Sequence, residues 1–62
     1  MDITELMEII AELGGRASTE MVFDAYCARH RIVKVYPVKF AIEQTLKNNG
    51  IARMPSGEWC EF

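Results

Sequence analysis

From Tyr36 to Phe62 the chain reads as a helix opened by Pro37, closed by Asn49-Gly50 and followed at once by a β-hairpin turned at Pro55-Ser56-Gly57. Proline suits the first helical turn, where its missing amide would have no intrahelical partner. Glycine after Asn49 enters the left-handed conformation of a helix end without a Cβ clash. Ile51-Ala52-Arg53-Met54 forms the outgoing strand and Glu58-Trp59-Cys60-Glu61-Phe62 the returning one. A lone hairpin is marginal in water, so this ending demands a third strand and a helical layer to pack on. The run from Arg31 to Tyr36, where Arg31 is followed by the β-branched-rich Ile-Val-Lys-Val-Tyr, is the expected third strand. Trp59 is the expected inward residue of the hairpin, because it carries the largest apolar area available to close so small a core.

Two helices precede that ending. Ile3, Leu6, Met7, Ile10 and Leu13 recur at helical spacing with Glu5, Glu8 and Glu12 on the opposite side. Asp2 is placed as N-cap, Glu5 has the spacing of the second half of a capping box, and Gly14-Gly15 ends the segment. Ser18 is the expected N-cap of a second helix, with Glu20 in its first turn. That helix runs through Met21, Val22, Ala25, Tyr26 and Ala28 to about His30, and Arg29, His30 and Arg31 complement the dipole at its carboxyl end. In the third helix Val38, Ala41, Ile42, Thr45 and Leu46 form the buried stripe. Lys39, Phe40, Glu43, Gln44, Lys47 and Asn48 are left to the rim or solvent.

Sixty-two residues make one domain, 1–62. A chain this short buries only about 60% of the surface its unfolded form exposes, which leaves little for a catalytic cavity. Half the residues are apolar, yet no apolar run is long enough to span a bilayer and the chain does not open with the basic segment of a secretory signal. The expectation is a soluble cytoplasmic protein, nucleoid-associated if it binds DNA. Cys27 and Cys60 are expected as free thiols. Cys27 and His30 lie three apart on one helix, but a structural zinc site needs four ligands, and no orienting group or oxyanion site accompanies them. No enzyme activity, metal or cofactor is expected.

Nine acidic against seven basic side chains give a net charge of −2. The distribution is uneven. Asp2, Glu5, Glu8, Glu12 and Glu20 fall in the first twenty residues against Arg16 alone, whereas residues 29–53 hold Arg29, Arg31, Lys34, Lys39, Lys47 and Arg53 against Glu43. The chain is electrically polarised along its length.

Taken together, the apolar first helix, the Gly-Gly-Arg-Ala-Ser connection, the Arg31–Val35 strand, the helix Pro37–Asn49 and the wing around Pro55-Ser56-Gly57 resemble the winged helix-turn-helix superfamily over essentially the whole chain. The fold expected is α+β, three helices with a small antiparallel sheet in the order α-α-β-α-β-β. In DNA-binding members the third helix enters the major groove and the wing touches the neighbouring backbone or minor groove. By that resemblance the roles pass to Lys39, Gln44, Lys47 and Asn48 on the helix and Arg53 on the wing. Gln44 and Asn48, four apart, share a face and present planar amides suited to adenine edges; Lys34, Lys39, Lys47 and Arg53 suit phosphates, as does Ser18 at the start of the second helix. The expectation is a small regulator that binds double-stranded DNA. The wing has no lysine or arginine between Met54 and Glu58, and Glu43 sits within the reading helix.

The alternative is a winged-helix protein-interaction or assembly module without DNA binding. Its contact surface is Phe40, off the main apolar stripe, extended by Tyr36 and Val38. A homodimer would join the two readings, since two copies double the phosphate footprint.

Overall fold

The computed structural model describes residues 1–60. Its elements, in chain order, are α1 (Ile3–Glu12), β1 (Arg16–Ser18), α2 (Thr19–His30), α3 (Tyr36–Asn48), β2 (Ala52–Arg53) and β3 (Glu58–Cys60). Three helices pack with a three-stranded antiparallel sheet, as the sequence implies, and the sheet order is β1-β3-β2.

The position of the first strand is a correction. It lies at Arg16–Ser18, between the first two helices, and the order is therefore α-β-α-α-β-β. Arg31–Tyr36 forms no strand. Ala17 pairs with Trp59, Arg16 with Cys60 and Ser18 with Glu58, which supplies the third strand that the Arg31–Tyr36 run was expected to give the hairpin. Burial decides between the two segments. Ala17 is completely buried, small enough to lie between the sheet and the helices. The side chains from Ile32 to Val35 remain exposed, and strand propensity is chiefly a measure of how well a side chain fits a half-buried pleated surface.

Local chemistry sets the boundaries. Asp2 accepts from the Thr4 amide at 2.9 Å and caps α1. The reciprocal bond from Glu5 does not form; Glu5 instead meets Arg29 and His30 of α2. Ser18 caps α2 by accepting from the Met21 amide. Arg31 caps α2 in the left-handed conformation, φ 55° and ψ 45°, and only Arg31–Val35 separate α2 from α3. At the hairpin the Gly57 amide donates to the Met54 carbonyl at 2.8 Å, with Pro55 as the second turn residue and Gly57 at φ 93°. Glu61 and Phe62, expected to complete the last strand, lie outside the described residues.

Leu6, Ile9, Ile10, Ala17, Val22, Phe23, Cys27, Ile42, Leu46 and Trp59 form the core. Ile9 and Phe23 join it although the helical stripes read from the sequence omit them, while Met21 is exposed. Trp59 donates from its indole N–H to the Thr19 hydroxyl at 2.8 Å, a buried bond linking β3 to the first turn of α2. Replacing Thr19 by valine leaves that buried N–H without its acceptor. We expect Thr19→Val to lower unfolding stability by about 1–3 kcal/mol, read by urea denaturation. Cys27 is buried, Cys60 half-buried, and neither is bridged.

Candidate functional site: the outer face of α3

Helical spacing sets Tyr36, Phe40, Gln44 and Lys47 along one side of α3, opposite the buried Ile42 and Leu46. Across from them stands the hairpin. Tyr36, Phe40, Glu43, Gln44 and Lys47 of α3, with Arg53 and Trp59 of the sheet, line a shallow groove of about 220 Å³. One end is aromatic: the Tyr36 and Phe40 rings stack with centroids 6.3 Å apart, and the side chains are 70% and 50% exposed. The other end is polar. Arg53 lies over the Trp59 ring at 5.0 Å, donates from Nε to the Gly57 carbonyl at 3.4 Å, and stands 3.9 Å from the Glu43 carboxylate.

The structure divides the residues proposed for DNA. Gln44, Lys47 and Arg53 share the groove, whereas Asn48, the last residue of α3, does not line it. Lys39 reaches Glu20 at 3.1 Å. Lys34 bonds Asp24, lies within 3.9 Å of Glu20 and covers the Phe23 ring at 5.2 Å. The Asp24 hydrogen bond raises the Lys34 pKa above its ordinary value. The Ser18 hydroxyl is engaged by the Met21 amide. Arg53 has Glu43. Lys47 and Arg31 are the basic residues with no carboxylate within 4 Å among the described residues.

The polarity of the sequence is thus largely answered in space. Arg29 meets Glu12 at 3.1 Å and Glu5 at 3.4 Å, His30 lies 2.9 Å from Glu5, and these contacts tie the acidic side of α1 to the carboxyl end of α2. Lys47 and Arg31 aside, what would be a basic footprint is a set of locally paired charges.

Of the interface residues read from the sequence, Tyr36 and Phe40 are outward, while Val38 is half-buried against the core. Sequence reasoning missed Ile32, Val33 and Val35. These are 43%, 79% and 45% exposed and run directly into Tyr36, so five large apolar side chains between residues 32 and 40 face solvent. Their β-branched density was visible, and reading it as a paired strand concealed their exposure. Scattered single apolar residues are ordinary on a surface; five large ones within nine residues on a domain this small are not.

Among the described residues no three of His, Cys, Asp or Glu gather to hold a metal ion, and no helix is long and apolar enough to cross a membrane. Comparison of the chain with protein-family models, with curated proteins and with solved structures finds no match.

Proposed function

We propose that this chain is a protein-interaction module of winged-helix type, and that its contact surface runs from the α2–α3 connection onto the outer face of α3. The element order α-β-α-α-β-β, with a short link between α2 and α3 and a hairpin after α3, supports the winged-helix reading. The exposure of Ile32, Val33, Val35, Tyr36 and Phe40 carries the functional one. Removing such a surface from water is the dominant favourable term in protein association. Tyrosine, tryptophan and arginine dominate interface energetics, and the groove beside this patch holds Tyr36, Arg53 and the edge of Trp59.

Reading of duplex DNA by α3 has less support. Capture of a polyanion rests on uncompensated lysine and arginine, and here Lys34, Lys39 and Arg53 each face a carboxylate of their own chain. Lys47 and Gln44 in the groove and Arg31 at the end of α2 remain available to a duplex, but two unpaired cations make a small footprint.

Affinity capture of partner proteins, run beside titration with random-sequence duplex DNA at low salt, separates the readings. The expected outcome is partner capture lost in Phe40→Asp and kept in Lys47→Glu, with DNA binding weak in the wild type. Tight, salt-sensitive DNA binding lost in Lys47→Glu would overturn the proposal.

A further inference from the structure

The segment Ile32–Val35 has the composition of a strand and pairs with no strand among the described residues. Its ends are fixed: the Ile32 amide donates to the Cys27 carbonyl at 3.0 Å, and the Val35 carbonyl accepts from the Val38 and Lys39 amides. Between these anchors, no backbone bond within the described residues uses the amides of Val33, Lys34 or Val35, or the carbonyls of Val33 and Lys34. Val35 is extended, φ −125° and ψ 148°. An exposed row of free amides and carbonyls flanked by β-branched side chains is a template for strand addition.

The sequence of this segment is self-complementary. Set antiparallel to a second copy about Lys34, it places Val33 opposite Val35 and Val35 opposite Val33, with Tyr36, the first residue of α3, just beyond the paired residues. Both flanking pairs are apolar and β-branched, side chains that fit a pleated surface. The central residue would oppose its own copy, a lysine against a lysine, yet each Lys34 ammonium is already turned back to Asp24 and Glu20 of its own α2 and lies over Phe23. The charge that would oppose pairing is answered within each copy.

Ile32, Val33, Val35, Tyr36 and Phe40 are 43%, 79%, 45%, 70% and 50% exposed, and covering this apolar surface on each copy is what favours a pair over two monomers. We infer that the occupant of this surface is a second copy of the chain, joined about a twofold axis by an antiparallel ribbon centred on Lys34. This inference rests on the protein-interaction reading of the same surface and names its partner.

Register-specific cross-linking with molar mass in solution tests it. Val33→Cys and Val35→Cys proteins, one carrying an affinity tag, are oxidised with oxidised glutathione separately and as a mixture. Residues opposite in an antiparallel pair stand about 4.5–5.5 Å apart at Cα, within disulfide reach, while diagonal positions at roughly 7–8 Å are not. The mixture should form linked dimers containing one copy of each, at several times the yield of either protein alone. Wild type should approach dimer mass as concentration rises from micromolar to millimolar, and Val33→Asp should remain monomeric. Equal linking in the single-protein samples, a monomeric wild type at millimolar concentration, or a Val33→Asp dimer would each overturn the inference. A monomeric wild type whose capture of another protein still depends on Phe40 would overturn self-pairing while leaving the broader interaction reading in place.

Discussion

Trp59→Ala is expected to remove most of the folding stability at room temperature. The indole is 3% exposed on the central strand, with Ala17 as its cross-strand neighbour on one side, Arg53 on the other and the Thr19 hydroxyl at its N–H. Truncating a buried tryptophan costs about 3–5 kcal/mol through lost burial and the cavity left behind. At roughly 0.05–0.15 kcal/mol per residue, a domain of this length holds about 3–9 kcal/mol in all. The substitution therefore removes most of the stability, and far-UV circular dichroism with a urea titration should show a lost or sharply shifted transition. Trp59→Phe separates packing from the hydrogen bond. It should retain a cooperative transition, and combining it with Thr19→Val should cost less than the two single losses added, because both act on one bond. A wild-type transition in Trp59→Ala would remove Trp59 from its place as the keystone between sheet and helices.

Phe40→Asp is expected to have the opposite profile, leaving the fold intact and eliminating association. Phe40 is half exposed on a helix whose buried side is formed by Ile42 and Leu46, so its replacement opens no cavity, and surface changes of this kind usually stay within about 0.5 kcal/mol. For association the effect is large. An aromatic anchor is worth about 2 kcal/mol or more when truncated, near thirtyfold in affinity, and a carboxylate adds the cost of burying a charge against an apolar partner. Loss of its ring also removes the stack that supports Tyr36, so Tyr36→Ser and Phe40→Asp should be non-additive. Unchanged association, by mass and by partner capture, would mean that the rings are ordinary surface.

The contrast between these residues shows what was legible in the sequence. Trp59 was recognisable as inward from its size alone, and the N-caps Asp2 and Ser18, the helix end at Asn49-Gly50 and the hairpin turn at Pro55-Ser56-Gly57 were readable because each has a local mechanism. Strand pairing is not local. Arg16-Ala17-Ser18 carries no β-branched residue and became a strand because Ala17 fits beneath the helices, whereas Ile-Val-Lys-Val-Tyr has the composition of a strand and stayed unpaired. The candidate surface was half legible for the same reason. Tyr36 and Phe40 stood off the apolar stripe, but their continuity with Val33 and Val35 depended on that strand not forming. Charge behaved likewise: the separation of acidic and basic blocks along the chain pointed to a basic face, and folding brought Glu20 to Lys39, Asp24 to Lys34 and Glu43 to Arg53.

The most direct test of which surface works is a residue-resolved amide spectrum of the isotopically labelled chain. It would be recorded as the chain's own concentration rises from micromolar to millimolar, and again with random-sequence duplex DNA at low salt. The account predicts concentration-dependent shifts centred on residues 32–40, with little saturable response to DNA. Saturable DNA shifts at Gln44, Lys47 and Arg53, with residues 32–40 unmoved by concentration, would contradict it and make α3 a reader of duplex DNA.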